Sequence, residues 1–168
     1  SMKITITEPK PTKSGALVIG VLKGGVLLST GKQLDKVSNG ALLKAIKGSR
    51  FVGDNGQFLE MVSPPGIGVD RILMSGLGEV KNIKQSTLED AGGSALQKLS
   101  HSGIKSLSIA CDPISGSRLD LGLAAASMAY GARLASYRFD KYRTTLKNND
   151  KPSVTKVTVQ VKGATTAR

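Results

Sequence analysis

The sequence predicts an α/β domain built on a mixed β-sheet with helices on both faces. Three observations point there. Runs of strand length, apolar or alternating, recur along the chain between stretches of helical periodicity. One of them, Ala16 to Leu22, is apolar without alternation, as a strand covered on both faces should be. Some neighbouring strands are joined by only a few residues, which permits antiparallel pairing but not a parallel crossover.

The elements follow in order. Lys3-Ile4-Thr5-Ile6-Thr7 alternates with period two and reads as a half-buried strand, ended by Pro9 and Pro11. After Ala16–Leu22, Gly24-Gly25 turns the chain and Val26-Leu27-Leu28 supplies a short partner strand. Leu34, Val37, Ala41, Leu42, Ala45 and Ile46 follow helical spacing, interrupted by Asn39-Gly40, and Gly48 suits a C-cap. Gln57 to Val62 is a strand stopped by Ser63-Pro64-Pro65-Gly66. Val69 to Met74 is another, expected to break at Ser75-Gly76-Leu77-Gly78. Ser86-Thr87-Leu88-Glu89 has the pattern of a capping box, in which hydroxyl and carboxylate reciprocally satisfy free N–H groups. The helix it opens runs through Ala91, Ala95, Leu96 and Leu99 to His101 and ends at Gly103. Ile104 to Ala110 is a strand terminated by Asp112-Pro113. A long helix then starts at Ser117-Arg118-Leu119-Asp120 and ends near Tyr137. Its many small residues, among them Gly122, Ala125, Gly131 and Ala132, let it approach neighbouring backbone closely. Residues 146–153 are a polar loop, Lys156 to Val161 alternates as a last strand, and Gly163 to Arg168 read as an untethered tail or linker.

Composition bounds the function. A chain of 168 residues with 39% hydrophobic content can bury one core without disulfides or metals. No apolar run approaches the ~18 residues of a membrane span, so no membrane partner is expected. The single cysteine, Cys111, rules out an intrachain disulfide and suits a reducing cytoplasm. The net charge is +12, and residues 138–168 supply half of it, with eight Lys/Arg against two Asp/Glu. Basic charge gathered at one end suits a polyanion partner, or a fragment whose acidic counterpart lies elsewhere.

Catalytic constellations are scarce. One His and one Cys cannot assemble the usual zinc sites. His101 sits at a helix end, where its cationic form interacts favourably with the dipole. Cys111 closes an apolar strand and reads as a small buried hydrophobe. Gly20 to Gly25 is followed by a strand, so no helix N-terminus faces a would-be phosphate. Ser29-Thr30-Gly31-Lys32-Gln33 has the Gly-Lys of a P-loop without its other residues, and Ser75-Gly76-Leu77-Gly78 lacks a third glycine because position 81 is Lys. Glu89-Asp90 stand in the first turn of a helix, Asp112 and Asp120 flank a loop, and no carboxylate pair is forced together. No catalytic, cofactor-binding or metal-ligating residue is expected in this chain.

One stretch keeps a functional reading open. YRFDKYRTTLK, residues 137–147, holds three of the six Phe and Tyr residues, interleaved with cations. Tyr137, Phe139 and Tyr142 among Arg138, Lys141, Arg143 and Lys147 could form a stacking platform for single-stranded nucleic acid. Alternatively the three rings anchor the end of the small-residue helix to a core, leaving the cations as a solvated rim. The second reading expects Phe139 to be largely buried.

Two motifs carry a family resemblance. Phe51-Val52-Gly53-Asp54-Asn55-Gly56, leading to Arg71-Ile72-Leu73-Met74-Ser75-Gly76-Leu77-Gly78, resembles the N-terminal domain of the cytosol (leucyl) aminopeptidases. Tyr130-Gly131-Ala132-Arg133-Leu134 running into Tyr137-Arg138-Phe139-Asp140-Lys141-Tyr142-Arg143 resembles that family's "Y-x-F-D-x-Y-K" segment, and Gly15-Ala16-Leu17-Val18 agrees too. The resemblance implies a three-layer, macro-domain-like fold over residues 3–162, with 163–168 starting a linker to a C-terminal catalytic domain. It implies a parent that is a two-metal exopeptidase using zinc or manganese, assembled as a homo-hexamer in the cytoplasm. The metal-binding Asn-Thr-Asp-Ala-Glu-Gly-Arg run is absent, so this chain is expected to be inactive alone. DNA, which some bacterial members bind, is a further expected partner. The glycine-rich loop pattern for ADP-ribose is not there.

Overall fold

The structure, a computed structural model, describes residues 2–140 and 151–164. Its elements are β1 (Lys3–Thr7), β2 (Ala16–Leu22), β3 (Val26–Leu27), α1 (Ser29–Val37), α2 (Ala41–Lys47), β4 (Phe58–Val62), β5 (Arg71–Gly78), α3 (Gln85–Leu99), β6 (Ser106–Ala110), α4 (Leu121–Asp140) and β7 (Lys156–Gln160). They form one sheet in the order β1-β7-β6-β2-β5-β4, with β3 on β2 outside that path. The pairs from β1 through β5 are parallel, and β4 and β3 pair antiparallel with β5 and β2. The expected mixed sheet is therefore mostly parallel.

Strand β2 shows why both faces must be covered. Leu17, Ile19 and Val21 join Leu42, Ile46, Ile72 and Met74 in the core beneath α1 and α2. Ala16 and Val18 point the other way, into a second core with Leu88, Leu96, Ala125 and Met128 of α3 and α4. Alternation of side chains along a strand thus feeds two cores from one continuous apolar run. The small residues of α4 do what the sequence suggests. A Cβ built on Gly131 would overlap the Glu89 carbonyl of α3, and one on Gly92 would overlap the Met128 carbonyl of α4.

Several boundaries differ from expectation, each for a local reason. The helix expected over 34–46 is two helices, because Asn39 and Gly40 take left-handed φ of 56° and 85°. The first of them begins earlier, at Ser29. Strand β5 does not break at Ser75 but runs to Gly78: Gly76 is needed for close packing, and Gly78 takes a left-handed φ of +79° at the strand's end. Helix α3 starts one residue before the expected box. Thr87 Oγ1 accepts the Lys84 N–H at 3.1 Å, so the hydroxyl reaches back to a residue outside the Ser86–Glu89 pattern. Helix α4 begins at Leu121, where the Asp120 carboxylate accepts the Leu123 N–H, and continues to Asp140. Gly163 and Ala164 are not an untethered tail: the Gly163 N–H donates to Glu8 Oε1 at 3.0 Å, and Ala164 is buried. Most of the expected polar loop lies outside the described residues.

Candidate functional site

The glycines of the motif at 51–56 and 71–78 serve the backbone. Gly53 has φ +80°, and a Cβ there would overlap the Leu22 carbonyl. A Cβ on Gly76 would overlap the Asp54 carbonyl. With no side chains in the way, the Gly78 N–H donates to the Gly53 carbonyl at 2.9 Å, the Gly76 N–H to Gln57 at 2.8 Å and the Lys23 N–H to Gly78 at 3.0 Å. The segment 51–56 is thereby locked between the ends of β2 and β5. The N–H groups of Gly24 and Gly25 are spent on the Val52 carbonyl at 2.9 and 3.2 Å. The Gly20–Gly25 loop has therefore turned these donors onto its own chain.

Beside it, the N-terminus of α1 is also occupied. Its N-cap position is Leu28, which has no side-chain acceptor, and no acidic residue stands in its first turn. Asp112, just past the end of β6, supplies both functions. Oδ2 accepts the Thr30 N–H at 3.1 Å and Oδ1 accepts the Thr30 hydroxyl at 2.7 Å. A carboxylate at this position satisfies an orphan donor and opposes the positive end of the helix dipole. Asp35 likewise accepts the Leu43 N–H at 3.0 Å, capping α2 where Gly40 has no side chain to offer. Cys111 is buried, and burial together with the adjacent Asp112 charge pushes its thiol up to about 12. That thiol stays protonated at neutral pH and is no nucleophile.

The outer end of α4 separates the residues expected to act together. Phe139 is partly buried against the core beneath α3 and α4 and meets the His101 ring edge-on, centroids 6.4 Å apart. Tyr137 points outward with 58% of its surface exposed, and Arg138 is exposed beside it. Tyr142, Lys141, Arg143 and Lys147 lie outside the described residues. Within the described part, Phe139 packs on this domain, though only partly rather than largely buried, and Tyr137 is exposed. A cleft of about 510 Å³ lies elsewhere, between the loop after β1 and helix α1, lined by Pro11, Thr30, Leu34, Ile67 and Gln160.

Comparison with known proteins identifies the family. Residues 18–146 match the model of the N-terminal domain of the cytosol aminopeptidase family. The chain belongs to that family. A probable cytosol aminopeptidase of Caulobacter vibrioides is 38% identical over 152 residues, covering 87% of this chain and 29% of the relative. One of Rickettsia bellii is 32% identical over 152 residues, covering 89% and 30%. The chain thus spans under a third of the length of these relatives. Among solved structures, a tomato leucine aminopeptidase superposes with a TM-score of 0.74 at 21% identity, over 95% of this chain and 32% of that one. An Oceanobacillus iheyensis macrodomain superposes at 0.65 with 13% identity, over 98% and 86%. At those identities the likeness is one of fold, and it bears out the macro-domain-like α/β architecture.

As a cytosol aminopeptidase N-terminal domain, the chain holds its family motif as a packing device. Among the described residues no three or more His, Cys, Asp and Glu side chains cluster as metal ligands would. The carboxylates are committed singly, Asp70 to the Gly15 N–H at 2.8 Å and Glu60 to Arg71 at 3.2 Å, besides Asp112 and Asp35. No helix among the described residues is long and apolar enough to cross a membrane. The Asp112–Thr30 clamp escaped sequence reasoning because its partners stand 82 residues apart. Only the missing cap at Leu28 hinted that an acceptor had to come from elsewhere.

Proposed function

We propose that this chain is the non-catalytic N-terminal domain of a leucyl aminopeptidase, packing against a C-terminal catalytic domain within a cytoplasmic homo-hexamer. The observation that carries this reading is the coverage: relatives match nearly all of this chain while it accounts for under a third of each of them. Peptide hydrolysis by the whole protein, with two zinc or manganese ions in the catalytic domain, follows the two-metal logic of aminopeptidases. The residues described above supply none of that chemistry. Their part is to hold a rigid three-layer body, with residues 163–168 leading into the linker. The test is hydrolysis of a leucine amide by the purified chain with added manganese or zinc. No turnover is expected, and turnover that survives further purification refutes the reading.

A second reading, DNA binding, gains one observation. Lys32, Lys36, Lys44, Lys47 and Arg50 are all exposed on α1, α2 and the turn after them, and the nearby Asp35 carboxylate is engaged in capping. Contacts between several such side chains and phosphates would give a steep salt dependence. Titration of duplex and single-stranded DNA at two salt concentrations tests it. A complex that weakens steeply with salt supports it, and no shift at low salt removes it.

A further inference from the structure

Helix α4 shows the solvent an apolar stripe that its own domain leaves uncovered. Leu123, Tyr130, Leu134 and Tyr137 are 40%, 54%, 47% and 58% exposed. Their spacings of seven, four and three residues place them on one side of the helix, with the exposed Ala126 among them. At 1.5 Å per residue the stripe is roughly 21 Å long. It borders a groove between α3 and α4, of about 260 Å³, lined by Gly93, Ser94 and Gln97 from one helix and Gly131 and Ala135 from the other.

The charges along this groove are arranged by sign. Glu89 and Asp90 of α3 lie at the end beside Gly131, and Arg138 of α4 lines the other. From Gly131 to Arg138 the helix rises by roughly 10 Å. None of the three takes part in an ion pair among the described residues, where the salt bridges are Lys23–Glu79, Lys81–Glu79 and Arg71–Glu60. A surface that is acidic at one end, basic at the other and apolar along its length is complementary to itself when turned by 180°. A two-fold axis passing near Leu134 brings Arg138 of each copy to Glu89 and Asp90 of the other, and lays the two tyrosine-leucine stripes together. An unrelated partner would need its own matching pattern; a second copy has it by symmetry.

We propose that the α3–α4 face is an isologous docking surface for a second copy of this chain. This gives the oligomer assembly proposed above a definite surface and rests on that reading only for the larger assembly. Light scattering after size exclusion and sedimentation velocity measure pairing of the isolated chain with no peptidase involved, so its failure is separable from that of the aminopeptidase reading. The chain is expected to dimerise in the micromolar range. Leu134→Lys and Tyr130→Lys, both on exposed positions, should give monomers with an unchanged circular dichroism spectrum and a melting temperature that no longer rises with concentration. Arg138→Glu should weaken pairing by roughly tenfold or more, as reversal of a charge facing opposite charges does. Glu89→Arg with Asp90→Arg should do the same, and the triple variant should recover the lost affinity. A chain that stays monomeric at every concentration, a dimer indifferent to a folded Leu134→Lys, or a triple variant no tighter than its parents overturns the proposal.

Discussion

Replacing Gly131 by alanine should destabilise the protein, although the same change in an ordinary helix stabilises it. In a solvated helix interior, Gly to Ala gains about 1 kcal/mol from restricted backbone freedom in the unfolded chain and better helix propensity. At Gly131 the added Cβ overlaps the Glu89 carbonyl, a backbone atom that no rotamer change can move aside. Helices α3 and α4 must separate, loosening Ala95, Leu96, Ala125, Met128 and Ala132 in the core they share. Overpacking of this kind costs roughly 1–3 kcal/mol, and the upper end applies where backbone must move. After the propensity gain, the net loss is about 2 kcal/mol. For a chain of this size that lowers the melting temperature by roughly 4–8 °C. Thermal melts and urea titration of Gly131→Ala provide the measurement. Gly40→Ala is the reference, since its φ of +85° carries a strain of roughly 1–2 kcal/mol with nothing within 4 Å to collide with. Gly92→Ala opens the same crossing, so the double variant should lose less than the two singles together. A melting temperature for Gly131→Ala at or above that of the parent would refute the close-crossing argument.

Two other outcomes follow from the ends of the parallel strands. Asp112→Ala removes both acceptors at the start of α1 and should cost about 1–2 kcal/mol in chemical denaturation, while Thr30→Val, which keeps the backbone contact, should cost less. Equal losses would show that the backbone bond adds nothing. Cys111 should be inert to a thiol reagent at pH 8 in the folded chain and react at once in urea. Because folding raises its pKa to about 12, the unfolded chain releases this proton first. Its contribution is therefore complete below the unfolded thiol's pKa and is lost as pH rises from about 9 towards 12. Cys111→Ala should flatten the parent's decline over that window, and identical pH profiles would dismiss the effect.

What could be read from the sequence was whatever neighbouring residues decide among themselves. The unbroken Ala16–Leu22 run announced a strand buried on both faces, and the small residues of α4 announced a close crossing. Boundaries were legible only where the stop signal was unambiguous. Gly76 and Gly78 look like a turn in isolation and are strand residues here: the incoming 53–54 backbone needs the space of Gly76's missing side chain, and Gly78 ends the strand at a φ of +79°. Asn39-Gly40 was seen as an interruption, but its left-handed backbone ends one helix and begins another. The caps supplied by Asp112 and Asp35 were hidden, since nothing local says which orphan N–H a distant carboxylate will meet. Tyr137 and Phe139 could not be told apart by composition. Two residues along a helix is slightly more than half a turn, enough to put one ring on the core side and its neighbour outside.

The place of β7 in the sheet has a consequence for how the domain is made. Among the described residues the first strand has no other neighbour in the sheet order, lying at the edge with Lys3 opposite Lys156 and Thr7 opposite Gln160. The last strand fills the gap between it and β6. During synthesis the N-terminal strand is therefore the first to emerge and the last to be paired, waiting through everything from β2 to α4 for a partner. Contacts of such long sequence separation slow folding. Truncation ahead of Lys156 should strip two strands from the sheet rather than one, and cut Ile4 and Ile6 off from the core they help cover. Residues 156–160 thus act as a latch whose closure decides when the first residues of the chain become part of the fold.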